Sequence, residues 1–257
     1  GVPKSSSPLQ SLSQGDEDIA APTHSSRAQF QNVRPPSENL ELRLPPLLLV
    51  PANMKLKLAP IEGAVAAPQG FRTGGVFCDI KRLGTGKGSD KGPKLDLALI
   101  VSEVPCAVAG LFTTNQVCAA PVKVCVPRTA KGIAQAVVIN SGNANACTGR
   151  IGMKDALAMA DLTEATLGLP RGYALVASTG RIGVNLPMPQ VRAGIADCAT
   201  KLGTSVEHAN RTTEAIMTSD TKPKQVAVQL KLGGKTVRIG GTCKGAGMIQ
   251  PGMSPTG

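Results

Sequence analysis

Near its end the chain carries the stretch Lys244-Gly245-Ala246-Gly247-Met248-Ile249-Gln250-Pro251-Gly252-Met253. Glycine loses more conformational entropy than other residues in a helix or strand, and proline has no N–H to donate. A segment with these residues therefore forms neither a regular helix nor a central strand. We predict a shaped loop in which the neighbouring glycines shield Lys244 little. A loop lysine is ordinarily solvated, so the stretch alone assigns it no function.

Composition limits the class of protein. The 257 residues carry a net charge of +11 and 42% hydrophobic side chains, but only 2% aromatic ones. That apolar fraction is enough for a sizeable core. Aromatic faces are scarce and the basic residues are scattered, so we predict no nucleic-acid binding and favour a basic globular enzyme with acidic substrates. No apolar run approaches the roughly 20 residues that a membrane span needs.

The metal-ligating residues are few. The seven cysteines form no Cys-x-x-Cys pair, and His24 and His208 are the only histidines. Zinc sites need clustered thiolate or imidazole ligands, so this pattern predicts no metal site and no disulfide framework. Reduced thiols of this kind suit a cytosolic or organellar interior.

Residues 1–57 differ from the rest of the chain. They are rich in Ser, Pro, Gln and charged residues and show no hydrophobic periodicity. Such a segment buries too little apolar surface to offset the entropy of ordering it. We predict a disordered leader, which is either a targeting extension or a plain tail, because acidic residues such as Asp16 and Glu17 depart from transit-peptide composition. Residues 58–257 are predicted to form the folded part.

Hydrophobic periodicity in the folded part predicts strands mixed with helices. After a turn and strand at 74–81 and a Gly-rich surface loop at 84–92, predicted strands lie at 95–103, 108–114, 122–126, 136–140 and 173–178. Predicted helices span 153–167, 187–202 and 205–217, and Gly233-Gly234 joins strands 226–232 and 236–239 into a hairpin. This mixture predicts a layered α/β fold rather than a Rossmann repeat.

Two polar stretches follow predicted strands. In Ser178-Thr179-Gly180, outward backbone N–H groups could stabilise an oxyanion, although an ordinary strand-to-turn exit explains the same residues. Asn140-Ser141-Gly142-Asn143-Ala144-Asn145 fits either a run of Asx turns, whose side chains hydrogen-bond their own backbone, or a ligand contact.

Four stretches together resemble those of one family, the ornithine acetyltransferases or glutamate N-acetyltransferases of arginine biosynthesis. They are residues 140–149, 177–183, 216–224 and 244–253, and the resemblance covers about residues 61–253. It implies an α/β sandwich of the self-cleaving N-terminal-nucleophile type, of which this chain is the first-subunit or α portion. It also implies transfer of acetyl from N2-acetyl-L-ornithine to L-glutamate, with no cofactor, although some members accept acetyl-CoA as a substrate.

The resemblance also assigns residues and a partner. It places an oxyanion hole at Thr179 and Gly180 and substrate contacts at Thr218 and Lys244. Both substrates are α-amino acids, so a lysine facing a carboxylate has a physical reason. The family pairs the α portion with a β-type chain, as two copies of each. The leader then points to the plastid stroma, with the mitochondrial matrix and the cytoplasm as alternatives.

The chain departs from the family where the nucleophile belongs. Family members cleave themselves before a threonine, whose freed α-amino group has a pKa suited to act as its base. Here Pro255 occupies that position and Thr256 lies one place later, so the nucleophile is unassigned. We predict that the chain is inactive without a β portion. An inactive structural or interaction subunit, a truncated copy and a related aminopeptidase are the alternatives, although Thr218 and Lys244 favour the transferase over the peptidase.

Overall fold

The computed structural model describes residues 57–85, 93–245 and 252–256. The strands within these ranges are β1 (Ala59–Pro60), β2 (Phe71–Val76), β3 (Leu97–Ala107), β4 (Phe112–Thr113), β5 (Ile133–Asn143), β6 (Ala174–Arg181), β7 (Lys224–Leu232), β8 (Lys235–Cys243) and β9 (Met253–Ser254). The helices are α1 (Ile80–Thr85), α2 (Ala120–Thr129), α3 (Gly149–Leu167), α4 (Met188–Thr200) and α5 (Val206–Ile216), with a 3₁₀ turn at Ala64–Ala66. All of them belong to one compact unit, Met54–Gly257.

A four-stranded sheet in the order β2-β3-β5-β6 forms the centre of this unit. The first two pairings are antiparallel, and β5 and β6 are parallel. Side chains alternate between the faces of a strand, so Leu97 and Leu99 of β3 belong to the core cluster that includes residues of α2, α3 and α4, while Ala98 packs with α5 on the other face. The prediction of a layered α/β fold is confirmed.

A second sheet, in the order β1-β7-β8, lies beyond α5. Ser205 caps the beginning of this helix by accepting a hydrogen bond from the backbone N–H of His208. Thr213 Oγ1 donates to Gln225 Oε1 at 2.8 Å and thereby joins the helix to β7. Helix α5 therefore connects the central sheet with the β7–β8 hairpin.

The predicted turn and strand at 74–81 are displaced in the structure. Gly74 and Gly75 lie inside β2, and Ile80 already begins α1. The glycines serve close packing rather than a turn, because a Cβ at Gly75 would lie 2.7 Å from the carbonyl carbon of Arg211 in α5. Small residues here let the helix approach the sheet.

Other predicted elements vary in accuracy. The helices at 153–167, 187–202 and 205–217 are confirmed as α3, α4 and α5, and the strands at 136–140 and 173–178 and the hairpin are confirmed as β5, β6 and β7–β8. The strand predicted at 122–126 is wrong, because these residues lie in α2. The strand predicted at 95–103 is β3, which extends further, to Ala107, through a register shift between Val101 and Cys106. Of 108–114, only Phe112–Thr113 forms a strand.

Some predictions fall on residues outside the described ranges. The predicted leader is described only at Lys57, and the loop at 84–92 only at Gly84 and Thr85. The loop at 244–253 is described at its two ends, Lys244-Gly245 and Gly252-Met253. Within the described residues, no helix has both the length and the hydropathy to cross a bilayer.

Candidate active site

Thr179 and Gly180 lie where the parallel strands β5 and β6 reach their carboxyl ends. Thr179 is paired with Ser141 and Gly180 with Gly142. The two glycines have φ angles of +104° and +134°, and a Cβ at Gly180 would lie 2.5 Å from the backbone nitrogen of Asn143. The carboxyl edge of parallel strands is where open α/β sheets place their ligands. The predicted oxyanion pair is therefore in a suitable part of the fold.

The asparagines beside this edge are used within the fold. Asn140 Nδ2 donates to the carbonyl of Asn143 at 2.8 Å, and Ser178 Oγ donates to Asn140 Oδ1 at 2.6 Å. Asn143 Oδ1 accepts from the backbone N–H of Asn145 at 2.8 Å, as in an Asx turn, and its amide donates to the carbonyl of Val184 at 3.0 Å. All three asparagines are buried. The Asx-turn interpretation is confirmed at Asn143, and the network gives the strand ends a defined shape.

A buried carboxylate, Asp96, holds α1 against the same edge. It accepts hydrogen bonds from the backbone N–H groups of Cys78, at 2.7 Å, and Lys81, at 3.1 Å. The backbone of Lys81 in turn packs on Gly142, where a Cβ would lie 2.5 Å from Lys81 Cα. Burial raises the pKa of the Cys78 thiol far above its usual range, with the Asp96 charge adding to the effect.

Sequence reasoning did not identify Asp96. Its signal is a single acidic residue in the apolar run Leu95-Asp96-Leu97-Ala98-Leu99. An aspartate is rarely buried unless hydrogen-bond donors satisfy it, so such a position indicates either a cap or a site residue.

The second group of predicted site residues meets at another buried carboxylate, Asp220. It accepts from the backbone N–H of Thr218 at 3.0 Å, from the backbone N–H of Gly245, and from Lys224 Nζ at 2.7 Å. Its side chain is only 1% exposed. Lys244 lies directly before Gly245, and its ammonium donates to the carbonyl of Gly245 at 2.9 Å. The structure thus brings the backbones of Thr218 and Lys244 to one place.

Lys81 lies in the first group, beside Asp96 and Gly142. Its Nζ donates to the carbonyl of Leu95 at 2.5 Å, and the residue is half-buried. Burial lowers the pKa of Lys81, while the charges of Asp96, Glu214 and Asp220 act in the opposite direction. The backbone of Lys81 therefore contacts the strand edge, and its ammonium is held at the carbonyl of Leu95.

Pro255 and Thr256 lie in a different environment. Ser254 of β9 is paired with Phe112 of β4, and Thr256 Oγ1 lies 3.3 Å from Ser254 Oγ. Both residues are exposed, and among the described contacts none joins them to Thr218 or Lys244. The nucleophile therefore stays unassigned, and the roles of the four predicted site residues stay predictions.

Within the described parts of the chain, no group of three or more His, Cys, Asp or Glu side chains could hold a metal ion. All seven cysteines are described, and each is a free thiol.

The fold and this strand edge define an α/β protein of the N-terminal-nucleophile type, as comparison with solved structures shows. The structure is similar to the arginine biosynthesis bifunctional protein ArgJ of Bacillus halodurans, with a TM-score of 0.71 and 38% identity over 78% of this chain and 100% of that one. It is similar also to a Mycobacterium tuberculosis structure described as ornithine acetyltransferase complexed with ornithine. The TM-score is 0.69, with 38% identity over 77% of this chain and 100% of that one.

The ArgJ family model matches residues 74–256, and the chain belongs to this family. The arginine biosynthesis bifunctional protein ArgJ of Symbiobacterium thermophilum is 52% identical over 194 residues, which are 76% of this chain and 46% of that protein. The protein of the same name from Thermosynechococcus vestitus is 44% identical over 195 residues, which are 76% of this chain and 44% of that protein. The resemblance predicted from the sequence is confirmed, and the chain spans about half the length of these curated relatives.

Proposed function

We propose that the chain is the α portion of an acetyltransferase that moves acetyl from N2-acetyl-L-ornithine to L-glutamate in arginine biosynthesis. The observation that carries the proposal is the meeting of Thr218 and the Lys244 segment at Asp220 in a member of the ArgJ family. The bound ornithine named for the mycobacterial relative supports the substrate class.

Each site residue has a chemical task in this proposal. Acyl transfer passes through tetrahedral intermediates with a negatively charged oxygen, which hydrogen-bond donors at Thr179 and Gly180 would stabilise. The Lys244 ammonium would pair with a substrate carboxylate, a charge-assisted contact that both amino acids can make. Thr218 would position the substrate beside it. The reaction needs no cofactor, because acetylornithine itself carries the acetyl group; acetyl-CoA would be an alternative donor.

A β-type chain would complete the enzyme. The coverage of the relatives supports this division, because the chain matches less than half of each curated relative but the whole of each solved chain. Pro255 has no hydroxyl, so the β portion would supply the threonine nucleophile, with the freed amino group as its base. The α portion alone would then be inactive, and the assembly would contain two copies of each chain.

Reconstitution tests the proposal. The chain is assayed alone and together with the separately produced second portion of the Symbiobacterium thermophilum relative, with N2-acetylornithine and glutamate as substrates. We expect no transfer by the chain alone and formation of N-acetylglutamate by the assembly, measured by mass spectrometry. The full-length relative is the positive control. A complex that forms but transfers no acetyl contradicts the enzyme proposal and favours an inactive structural subunit.

A further inference from the structure

Three chain segments meet at the carboxylate of Asp220. Thr218 follows α5, Lys224 begins β7, and Gly245 follows β8. Each provides one donor to the carboxylate: two backbone N–H groups and one ammonium. The amide nitrogens of Thr218 and Gly245 are distant in sequence, and they are brought together by this one side chain.

The hairpin ladder does not reach Thr218, Asp220 or Gly245. The last paired residues at the open end of the hairpin are Lys224 and Cys243. Beyond that pair the two strands diverge into the 218–223 segment on one side and Lys244-Gly245 on the other. Asp220 lies beyond the last pair of the ladder. Its side chain accepts hydrogen bonds from both segments and so joins them where the backbone pairing has ended.

The charge of Asp220 is well suited to this task. The hydrogen bond from Lys224, with those from the N–H groups of Thr218 and Gly245, holds the pKa of Asp220 well below its usual range. An ionised carboxylate only accepts hydrogen bonds and can therefore serve all three donors. Asparagine has nearly the same shape, but its amide group would place a donor opposite one of them.

We propose that Asp220 is a positioning residue: its buried carboxylate fixes Thr218 and the Lys244-Gly245 segment relative to each other, so that the two predicted substrate contacts act as one unit. This inference rests on the proposed function and adds to it a residue that acts through Thr218 and Lys244.

The first measurement needs no activity. Amide hydrogen exchange of the full chain is compared with that of Asp220→Asn. The matched control is Asp197→Asn, which removes another carboxylate whose i,i+4 lysine, Lys201, lies at 2.7 Å, but on the exposed surface of α4. We expect exchange at Thr218 and Gly245 to become at least about tenfold faster in Asp220→Asn only, because both N–H groups lose their charged acceptor. Unchanged exchange at both amides overturns the inference.

The second measurement is a double-mutant cycle in the reconstituted enzyme. Asp220→Asn should raise KM for both substrates about tenfold with a smaller change in kcat, since a displaced Lys244 loses a charge-assisted contact. In a Lys244→Ala background, Asp220→Asn should raise KM less than about twofold, because the effects of coupled residues on KM are not additive. Equal costs in both backgrounds overturn the functional part of the inference. A wild-type assembly without activity refutes the proposed function and with it this coupling, while the exchange data still decide the positioning.

Discussion

Gly180 shows how one missing side chain shapes the candidate site. Its φ of +134° is unfavourable for any residue with a Cβ, and a Cβ there would also lie 2.7 Å from Gly142 Cα. Strand β6 can therefore end beside β5 only with glycine at this position. A glycine near the end of the predicted strand is visible in the sequence, but its close approach to Gly142 is a property of the folded sheet.

We expect Gly180→Ala to lower the free energy of unfolding by about 2–4 kcal/mol, since it combines backbone strain with overlap of backbone atoms. Urea denaturation measures the loss. The control is Gly183→Ala, where φ is also positive, at +77°, but nothing lies near the added Cβ. That substitution should cost only about 1 kcal/mol. Equal losses at the two positions would show that the contact with Gly142 contributes nothing.

The candidate site was only partly predictable at this scale. Thr218 and Lys244 could be named because they lie in stretches that resemble a family. The hydrogen bonds of the carboxylates Asp96 and Asp220 could not be predicted, since their partners include residues 18 and 25 positions away. The local sequence shows which side chain is present, but not which distant N–H group will donate a hydrogen bond to it.

At the scale of elements, prediction succeeded where periodicity was long and failed where short runs were ambiguous. Helices α3, α4 and α5 each show a repeated apolar face, and Gly233-Gly234 marks the hairpin. The valines of 122–126 favour a strand by propensity, but burial of Val124, Cys125 and Arg128 on one face of α2 outweighs that preference.

Arg128 holds α2 against α3 and β6. Its guanidinium donates at 2.5 Å both to Glu164 of α3 and to the carbonyl of Ala174 in β6, and both charged side chains are buried. We expect Arg128→Met to lower the free energy of unfolding by about 3–5 kcal/mol, because it leaves the Glu164 charge buried with fewer partners. Urea denaturation is the measurement.

The control for Arg128 is an ion pair on the surface. Lys201 lies 2.7 Å from Asp197 and is 56% exposed, so Lys201→Met should change stability by less than about 0.5 kcal/mol. A small effect of Arg128→Met, similar to that of this control, would contradict the view that one guanidinium fastens α2, α3 and β6 together.

At the scale of the whole molecule, one face of the β7–β8 hairpin carries exposed aliphatic side chains, although Leu230 on the same face is buried. Gln225 and Ala227 face α5 and the 3₁₀ turn, while Val226, Val228 and Ile239 lie on the opposite face. Val226 is 62% exposed and Ile239 55%. Adjacent exposed aliphatic residues on a sheet are typical of a surface that another protein covers.

This surface gives the last prediction. We expect the isolated chain to self-associate through the hairpin, because contact between two such faces removes Val226 and Ile239 from water. The variant Val226→Asp with Ile239→Asp should raise the dissociation constant at least about tenfold, since each buried aliphatic side chain contributes about 1.5 kcal/mol or more. Sedimentation velocity over a range of concentrations measures the change. Ile151→Asp is the control, because Ile151 is equally exposed, at 56%, but lies on α3. If this control weakens self-association as much as the hairpin variant does, the association is non-specific and the hairpin is not its interface.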